Sequence, residues 1–243
     1  MSGSGRLIGV GVGPGDPELV TLKALRTLKT ADVVAHFSKK GNESNARAIV
    51  AGLLRPDVRE LALRYPVTTE IAKHTQTYQA AIRTFYESAA AAIAEHLDAG
   101  HVVAVICEGD PLFYGSYMHL HVRLSGRYPT EVIAGVTGMS GCWSSVGTPI
   151  AQGDDVLTVL PGTLPEEELE RRIADTDAAV VMKIGRHLSK IRRALARTGR
   201  IERAIYVERA TMANALVMPL KDKHDDRAPY FALVLVPGWE APS

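Results

Sequence analysis

The stretch HVVAVICEGDPLFYGS, residues 101–116, decides how this chain is read. Val102 to Cys107 is a continuous apolar run rich in β-branched residues, the pattern of a strand buried on both faces in a parallel sheet. The run stops at Glu108, and Gly109 and Pro111 force a tight turn. Glu108 and Asp110 therefore fall at the carboxyl end of a buried strand, where open α/β sheets take their ligands. A solvated loop in which Asp110 caps the next helix is the competing reading.

Upstream, Leu7 to Val12 reads as a first strand running into Gly13-Pro14-Gly15-Asp16-Pro17-Glu18. Asp16 as a cap and Pro17 at the first position predict a helix carrying Leu19, Leu22, Leu25 and Leu28. The dinucleotide pattern G-x-G-x-x-G fails, because the sixth residue is Pro14 counted from Gly9 and Asp16 counted from Gly11. Pro14 also lacks the N–H that a phosphate cradle uses. A second strand, Val33 to Phe37, precedes a polar loop from Ser38 to Glu43 and a helix to about Leu54. A third, Val58 to Leu63, ends at Arg64. Lys39, Lys40 and Arg64 thus gather at strand ends, although a solvated basic loop has the same composition. A long helix starting at Thr68 or Thr69 and rich in alanine from Ala80 to Ala94 leads back to residue 101.

Downstream, Tyr114, Tyr117, Leu120 and Leu124 share a helical face, predicting an amphipathic helix as far as Ser125. His119 and His121, two apart, face different ways, and no other cluster has ligand spacing, so no metal site is expected. Glu131 to Ala134 is a short strand, and the small-residue loop from Gly135 to Gly141 opens a helix. From Asp154 the pattern restarts. Strands are predicted at Val156–Leu160, Ala178–Ile184 and Arg203–Glu208, with helices after Pro165 and from His187 to Arg197. Ala215–Pro219 and Tyr230–Val236 form a paired finish around a charged turn. The expected architecture is two α/β domains, 1–135 and 136–243, with a mainly parallel first sheet, a mixed second sheet and a ligand cleft between them.

The 243 residues are 46% hydrophobic and carry 28 basic against 27 acidic side chains, so neither nucleic acid nor an anionic membrane is an expected partner. Apolar runs stay well short of the roughly 20 residues that span a bilayer. The amino terminus has no signal-peptide pattern. Cys107 and Cys142 lie in apolar or small-residue surroundings, which suggests buried thiols in a cytoplasmic protein and leaves a disulfide open.

Glycine turns after two strands with no phosphate motif suggest a compact cofactor without a pyrophosphate. Here the residues match a family: Gly11-x-Gly13-Pro14-Gly15-Asp16-Pro17-Glu18-Leu19-x-Thr21-Leu22-Lys23-Ala24 and Glu108-Gly109-Asp110-Pro111-x-x-Tyr114-Gly115 resemble the tetrapyrrole methylases, which use S-adenosylmethionine. Gly138 to Trp143, Gly153 to Thr163, Tyr206 to Met212 and Pro229 to Val234 are similar to the branch that methylates precorrin-2 at C20 on the way to cobalamin. At residues 36–40 the chain reads His-Phe-Ser-Lys-Lys where that branch implies a pattern with tyrosine and proline.

The resemblance implies cofactor contacts at Pro14, Gly109, Asp110, Tyr114, Thr137 and Gly138, with Met182, Ala210, Phe231 and Ala232 on the adenine side. Met182 and Phe231 are equally plain core residues by composition. It further implies a homodimer; the absence of ligand-spaced clusters adds the expectation that the metal-free macrocycle is accepted. Lys39, Lys40, Arg47 and Arg64 are expected to meet the macrocycle's carboxylates, with Glu108 and Tyr117 also at the substrate. The pattern singles out no catalytic base. Rival readings are methylation at another precorrin carbon, action on cobalt-precorrin-2, a non-catalytic module that holds S-adenosylmethionine, and a nucleotide-dependent oxidoreductase, which the failed fingerprint disfavours.

Overall fold

The structure, a computed structural model, describes residues 5–39, 41–66 and 75–238. The chain divides into two compact units, Met1–Thr137 and Gly138–Ser243.

In the first unit, strands β1 (Arg6–Gly11), β2 (Val33–Lys39), β3 (Arg59–Tyr65), β4 (Val102–Cys107) and β5 (Thr130–Ile133) form a parallel sheet in the order β3-β2-β4-β1-β5. Helices α1 (Leu22–Thr30), α2 (Asn45–Ile49), α3 (Gln76–Asp98) and α4 (Tyr117–Leu124) connect them. The apolar run of β4 is explained by its central place. Val103, Val105 and Cys107 pack with Ile93 and Leu97 of α3 and Leu120 of α4. Ala104 and Ile106 pack with Ala24 and Leu28 of α1 and Ile49 of α2. Each fully buried aliphatic side chain contributes about 1.5–3 kcal/mol, so these two layers supply most of the unit's cohesion.

Several local expectations change. The helix predicted from Pro17 is interrupted. Asp16 caps only a 3-10 turn, Pro17–Leu19, after which Val20 is extended and Thr21 caps α1 by accepting the Ala24 N–H at 3.1 Å. Leu22, expected on the apolar face, is consequently 74% exposed. The helix expected to reach Leu54 ends at Ile49, and β2 and β3 run further than predicted, making Lys39 and Arg64 strand residues. The predicted starts at Thr68 or Thr69 lie outside the described residues, and α3 is capped by Thr75. Tyr114 precedes α4 and takes a left-handed φ of 56°, so it does not share the α4 face.

The second unit holds β6 (Leu157–Pro161), β7 (Ala178–Met182), β8 (Ile205–Glu208), β9 (Leu216–Pro219) and β10 (Ala232–Val236), in the order β6-β7-β10-β8-β9. The β6–β7 pair is parallel and the other three pairs are antiparallel. α6 (Glu166–Ala174) and α7 (Leu188–Arg197) cover one face, and α5 (Gly138–Val146) the other. The expected pairing of the last two strands is wrong, because β8 lies between them. Burial gives the reason. Every residue of β10 is buried and needs cover on both faces, whereas Leu216 and Val217 of β9 are exposed and Pro219 lacks a ladder N–H, as suits an edge. Among the described residues, no helix is long and apolar enough to cross a membrane.

α4 is keyed to β1 through Tyr117, which is fully buried. A Cβ added at Gly9 would lie 2.5 Å from its ring. Gly9→Ala is therefore expected to destabilise the protein by about 1–3 kcal/mol through overpacking, seen as a lower urea midpoint. An unchanged midpoint would show that α4 can shift freely off β1.

Candidate functional site

β1 and β4 lie side by side, Gly11 opposite Cys107, but the chain leaves them in opposite directions. α1 carries it from β1 past β4 to β2, and α4 carries it from β4 past β1 to β5. The two helices pack on opposite faces. Such a reversal of strand order opens a crevice at the carboxyl ends, the usual ligand address of an open α/β sheet.

Backbone forms the floor of this address. The Gly109 N–H donates to the Gly13 carbonyl at 2.8 Å, with left-handed φ values of 63° and 80° that favour glycine at both positions. A Cβ at Gly11 would come within 2.6 Å of the Gly109 carbonyl oxygen, and one at Gly135 within 2.1 Å of the same atom. Three loops thus meet backbone to backbone. Asp110 ties them, its Oδ1 accepting the Leu112 N–H at 2.9 Å and its Oδ2 the Gly135 N–H at 3.2 Å. Pro14 is buried against this floor, Thr137 is half-buried at the end of the β5 loop, and Tyr114 stands 45% exposed beside Phe113.

The donor set discriminates among ligands. Residues 12–16 and 108–116 contain no lysine or arginine but offer backbone groups and the Asp110 carboxylate. That suits a ligand with positive charge and hydroxyls and disfavours a pyrophosphate, so S-adenosylmethionine, with its sulfonium, ammonium and ribose, fits the residues present. Among the described residues no group of His, Cys, Asp or Glu is placed to hold a metal ion.

Other expected residues are spent elsewhere. Tyr117, expected at the substrate, is core, with its hydroxyl 3.3 Å from His121 Nδ1. Glu108 lies half-buried near Asn45 and Ala46 at the start of α2, and burial pushes its carboxyl above the usual range. Arg47 grips Glu60 with two hydrogen bonds, 2.6 and 2.9 Å, which hold the Glu60 carboxyl below its usual range. Lys39 and Arg64 remain exposed at the ends of β2 and β3, and Lys40 lies outside the described residues. Cys107, directly before the turn, is a buried free thiol pushed up to about 12 by desolvation and by Glu108, so it is inert as a nucleophile.

An aromatic group at the ends of β2 and β3 was not anticipated. Phe37 stacks on Tyr65 at 5.7 Å, and the Tyr65 hydroxyl meets Ser116 and, at 3.2 Å, Tyr86. The alternation Leu61, Leu63, Tyr65 carried this signal, since it puts Tyr65 on the α3 face.

In the second unit, the register places Met182, Ala210, Phe231 and Ala232 at one end of the sheet, the carboxyl ends of β7 and β8 and the start of β10. Ala210 is buried between Arg209 and Thr211, both left-handed at φ 46° and 70°. The turn is held by Arg209 N–H to the Phe231 carbonyl at 2.7 Å and Thr211 N–H to Ser145 of α5 at 3.1 Å. No glycine marks this strain in the sequence. Gly138 opens α5, exposed, with nothing within 4 Å of an added Cβ.

Known proteins match along nearly the whole chain. A precorrin-2 C(20)-methyltransferase of Sinorhizobium sp. is 64% identical over 98% of this chain and 97% of its own length. A cobalt-precorrin-2 C(20)-methyltransferase of Salmonella typhimurium is 28% identical over 96% of both. The uroporphyrin-III C-methyltransferase of Thermus thermophilus, solved with S-adenosyl homocysteine, superposes with a TM-score of 0.66 at 25% identity, covering 96% of this chain and 92% of that one. Residues 6–222, both glycine turns included, match the family described as Tetrapyrrole (Corrin/Porphyrin) Methylases, and the chain belongs to it.

Proposed function

We propose that this protein transfers a methyl group from S-adenosylmethionine to C20 of precorrin-2, a step of corrin formation. The 64% identity across 98% of the chain to a precorrin-2 C(20)-methyltransferase carries this reading, and the phosphate-averse crevice between β1 and β4 supports it. A second reading, the same transfer to cobalt-precorrin-2, is favoured by the Salmonella relative. The cytoplasm is the proposed compartment, in keeping with two buried thiols.

When bound, the cofactor supplies a methyl on a sulfonium whose sulfur departs as a neutral thioether, so the donor needs no acid from the protein. The chain's own work is alignment. Gly13, Gly109 and Gly135 bring backbone to the ligand, Pro14, Tyr114 and Thr137 flank it, and Asp110 fixes the loops that hold it. Gly138, Met182, Ala210, Phe231 and Ala232 are the second unit's proposed contacts. Holding donor and acceptor in line supplies up to about 7–11 kcal/mol of barrier reduction without proton transfer. Lys39 and Arg64 are proposed to meet the macrocycle's carboxylates, and Tyr65 and Phe37 lie beside them on the neighbouring strand ends. We also propose a homodimer, supported by Tyr230, 76% exposed, and by the exposed apolar residues of edge strand β9.

Gly109→Val introduces a β-branched residue at a left-handed φ and is expected to abolish S-adenosylmethionine binding in calorimetry while circular dichroism stays native; binding at parental strength would exclude this location. Lys39→Glu with Arg64→Glu is expected to weaken precorrin-2 binding at low salt by about tenfold and leave cofactor binding unchanged. Equal substrate affinity would reduce both to surface charges. Anaerobic incubation with methyl-labelled S-adenosylmethionine and either precorrin-2 or its cobalt complex tests the reaction itself. NMR should find the label at C20, and label at another carbon would overturn the assignment. Sedimentation should give a dimer, and a concentration-independent monomer would exclude one.

A further inference from the structure

The aromatic group at the ends of β2 and β3 has no task in the alignment just described. Alternation along these strands puts Phe37, Lys39, Leu63 and Tyr65 on the face covered by α3 and α4, with Lys39 opposite Tyr65 at the carboxyl end of the pair. Phe37 stacks on Tyr65 at an interplanar angle of 23°, and Phe85 of α3 leans on Tyr65 with ring centroids 4.6 Å apart. Tyr86 stands behind, edge-on to both Phe37 and Tyr65. Further along, α3 meets the sheet with aliphatic residues, Ala89, Ala90, Ile93, Ala94 and Leu97. Tyr86 is 5% exposed, whereas Phe37, Tyr65 and Phe85 are only half-buried. A plug that merely closed the core would bury all its rings as Tyr86 is buried. This group has a buried back and a partly open front.

The Tyr65 ring is fixed through its hydroxyl, which meets the Tyr86 hydroxyl at 3.2 Å and the Ser116 hydroxyl. Ser116 stands at the N-cap of α4, where a serine ordinarily accepts a helix N–H, yet its side chain makes no such bond. Its hydroxyl is turned to Tyr65 instead. Ser116 also closes the segment that begins with Gly109 and Asp110, so the ring at the end of β3 is held by the stretch that forms the crevice floor. The open front of the group is flat and apolar, and the exposed Lys39 lies on the same face. Those features suit a broad ring system with carboxylates on its rim, the rings meeting its face and the ammonium its edge.

We propose that Tyr65 and Phe37 form the wall against which the tetrapyrrole lays one face, and that Ser116 is a positioning residue that sets this wall through the Tyr65 hydroxyl. The identity of the occupant rests on the methyltransferase reading. The wall orients the acceptor as the glycine floor orients the donor.

The test measures, in the full chain, KM and kcat with precorrin-2, the S-adenosylmethionine Kd, and equilibrium binding of uroporphyrin III, a stable tetrapyrrole with carboxylates on its rim. Tyr65→Leu removes the ring and is expected to raise the precorrin-2 KM and weaken uroporphyrin binding by about tenfold, with the S-adenosylmethionine Kd unchanged. Tyr65→Phe keeps the ring and should stay within about threefold of the parent on both readouts. Ser116→Ala should match Tyr65→Phe, and the two together should be no worse than Tyr65→Phe alone, because both remove the same hydrogen bond. Unchanged KM and uroporphyrin binding in Tyr65→Leu, with the parent active on precorrin-2, would overturn the wall and leave the functional reading standing. An equal loss in Tyr65→Phe and Tyr65→Leu would overturn it too, since the hydroxyl rather than the ring would then be the contact. Parental behaviour of Ser116→Ala beside an impaired Tyr65→Phe would remove the role of Ser116. Should Tyr65→Leu fail to fold, Phe37→Leu takes away the stacked partner and is held to the same tenfold expectation. A parent that binds uroporphyrin but methylates no precorrin-2 would remove the functional reading, and uroporphyrin binding by Tyr65→Leu would still decide the wall. A parent that binds no tetrapyrrole would overturn both.

Discussion

Backbone contact among Gly11, Gly109 and Gly135 is the constraint on which the first unit's site depends. A single added carbon at Gly11 or Gly135 would sit 2.1–2.6 Å from the Gly109 carbonyl, closer than real side-chain carbons come. The loops after β1, β4 and β5 can therefore meet only as glycine backbone. From that contact follow the Gly13–Gly109 hydrogen bond, the reach of Asp110 to Gly135, and a floor free of side chains. A ligand at such a floor is read by N–H and C=O groups and one carboxylate. This explains why glycines after the strands do not signal a nucleotide here: residues 12–16 and 108–116 carry no lysine or arginine to meet a pyrophosphate, and a proline without an N–H stands among the glycines.

Much of this was legible because it rests on local chemistry. The β4 run, the turn residues after β1 and β4, and a parallel sheet followed by a mixed one could be read from periodicity and glycine spacing. What failed depended on neighbours distant in sequence. Tyr117 and Tyr114 share a helical period with Leu120, yet Tyr117 fills the space under Gly9 and Tyr114 turns left-handed before the helix begins. Arg47 looks like a residue offered to a ligand until Glu60 is found beside it. A charge in a loop advertises nothing about whether it is already paired.

The second unit repeats this lesson in its strand order. β9 and β10 are consecutive apolar strands separated by a charged segment, which reads as a hairpin. The total burial of β10 against the exposure of Leu216 and Val217 shows why the chain instead passes β8 and inserts its last strand at the centre. The turn around Ala210 was invisible for another reason. Left-handed Arg209 and Thr211 cost about 1–3 kcal/mol each, and hydrogen bonds to Phe231 and Ser145 help to hold them there.

The central strand of the first sheet also dictates the order in which the site can come into being. β4 lies between β1 and β2, which precede it by many residues, so a chain still emerging from the ribosome has both early strands before it has the one that joins them. Until residues 102–107 are available, β1 and β2 present bare apolar edges, the kind that pair with the wrong partner. The long helix α3, built largely from local contacts, forms fast and ends directly before β4. It can deliver that strand into the gap as soon as it is made. The crevice is then a late product of folding, assembled in the same event that seals the sheet, and a chain truncated before β4 would lack the site and expose its most adhesive surface.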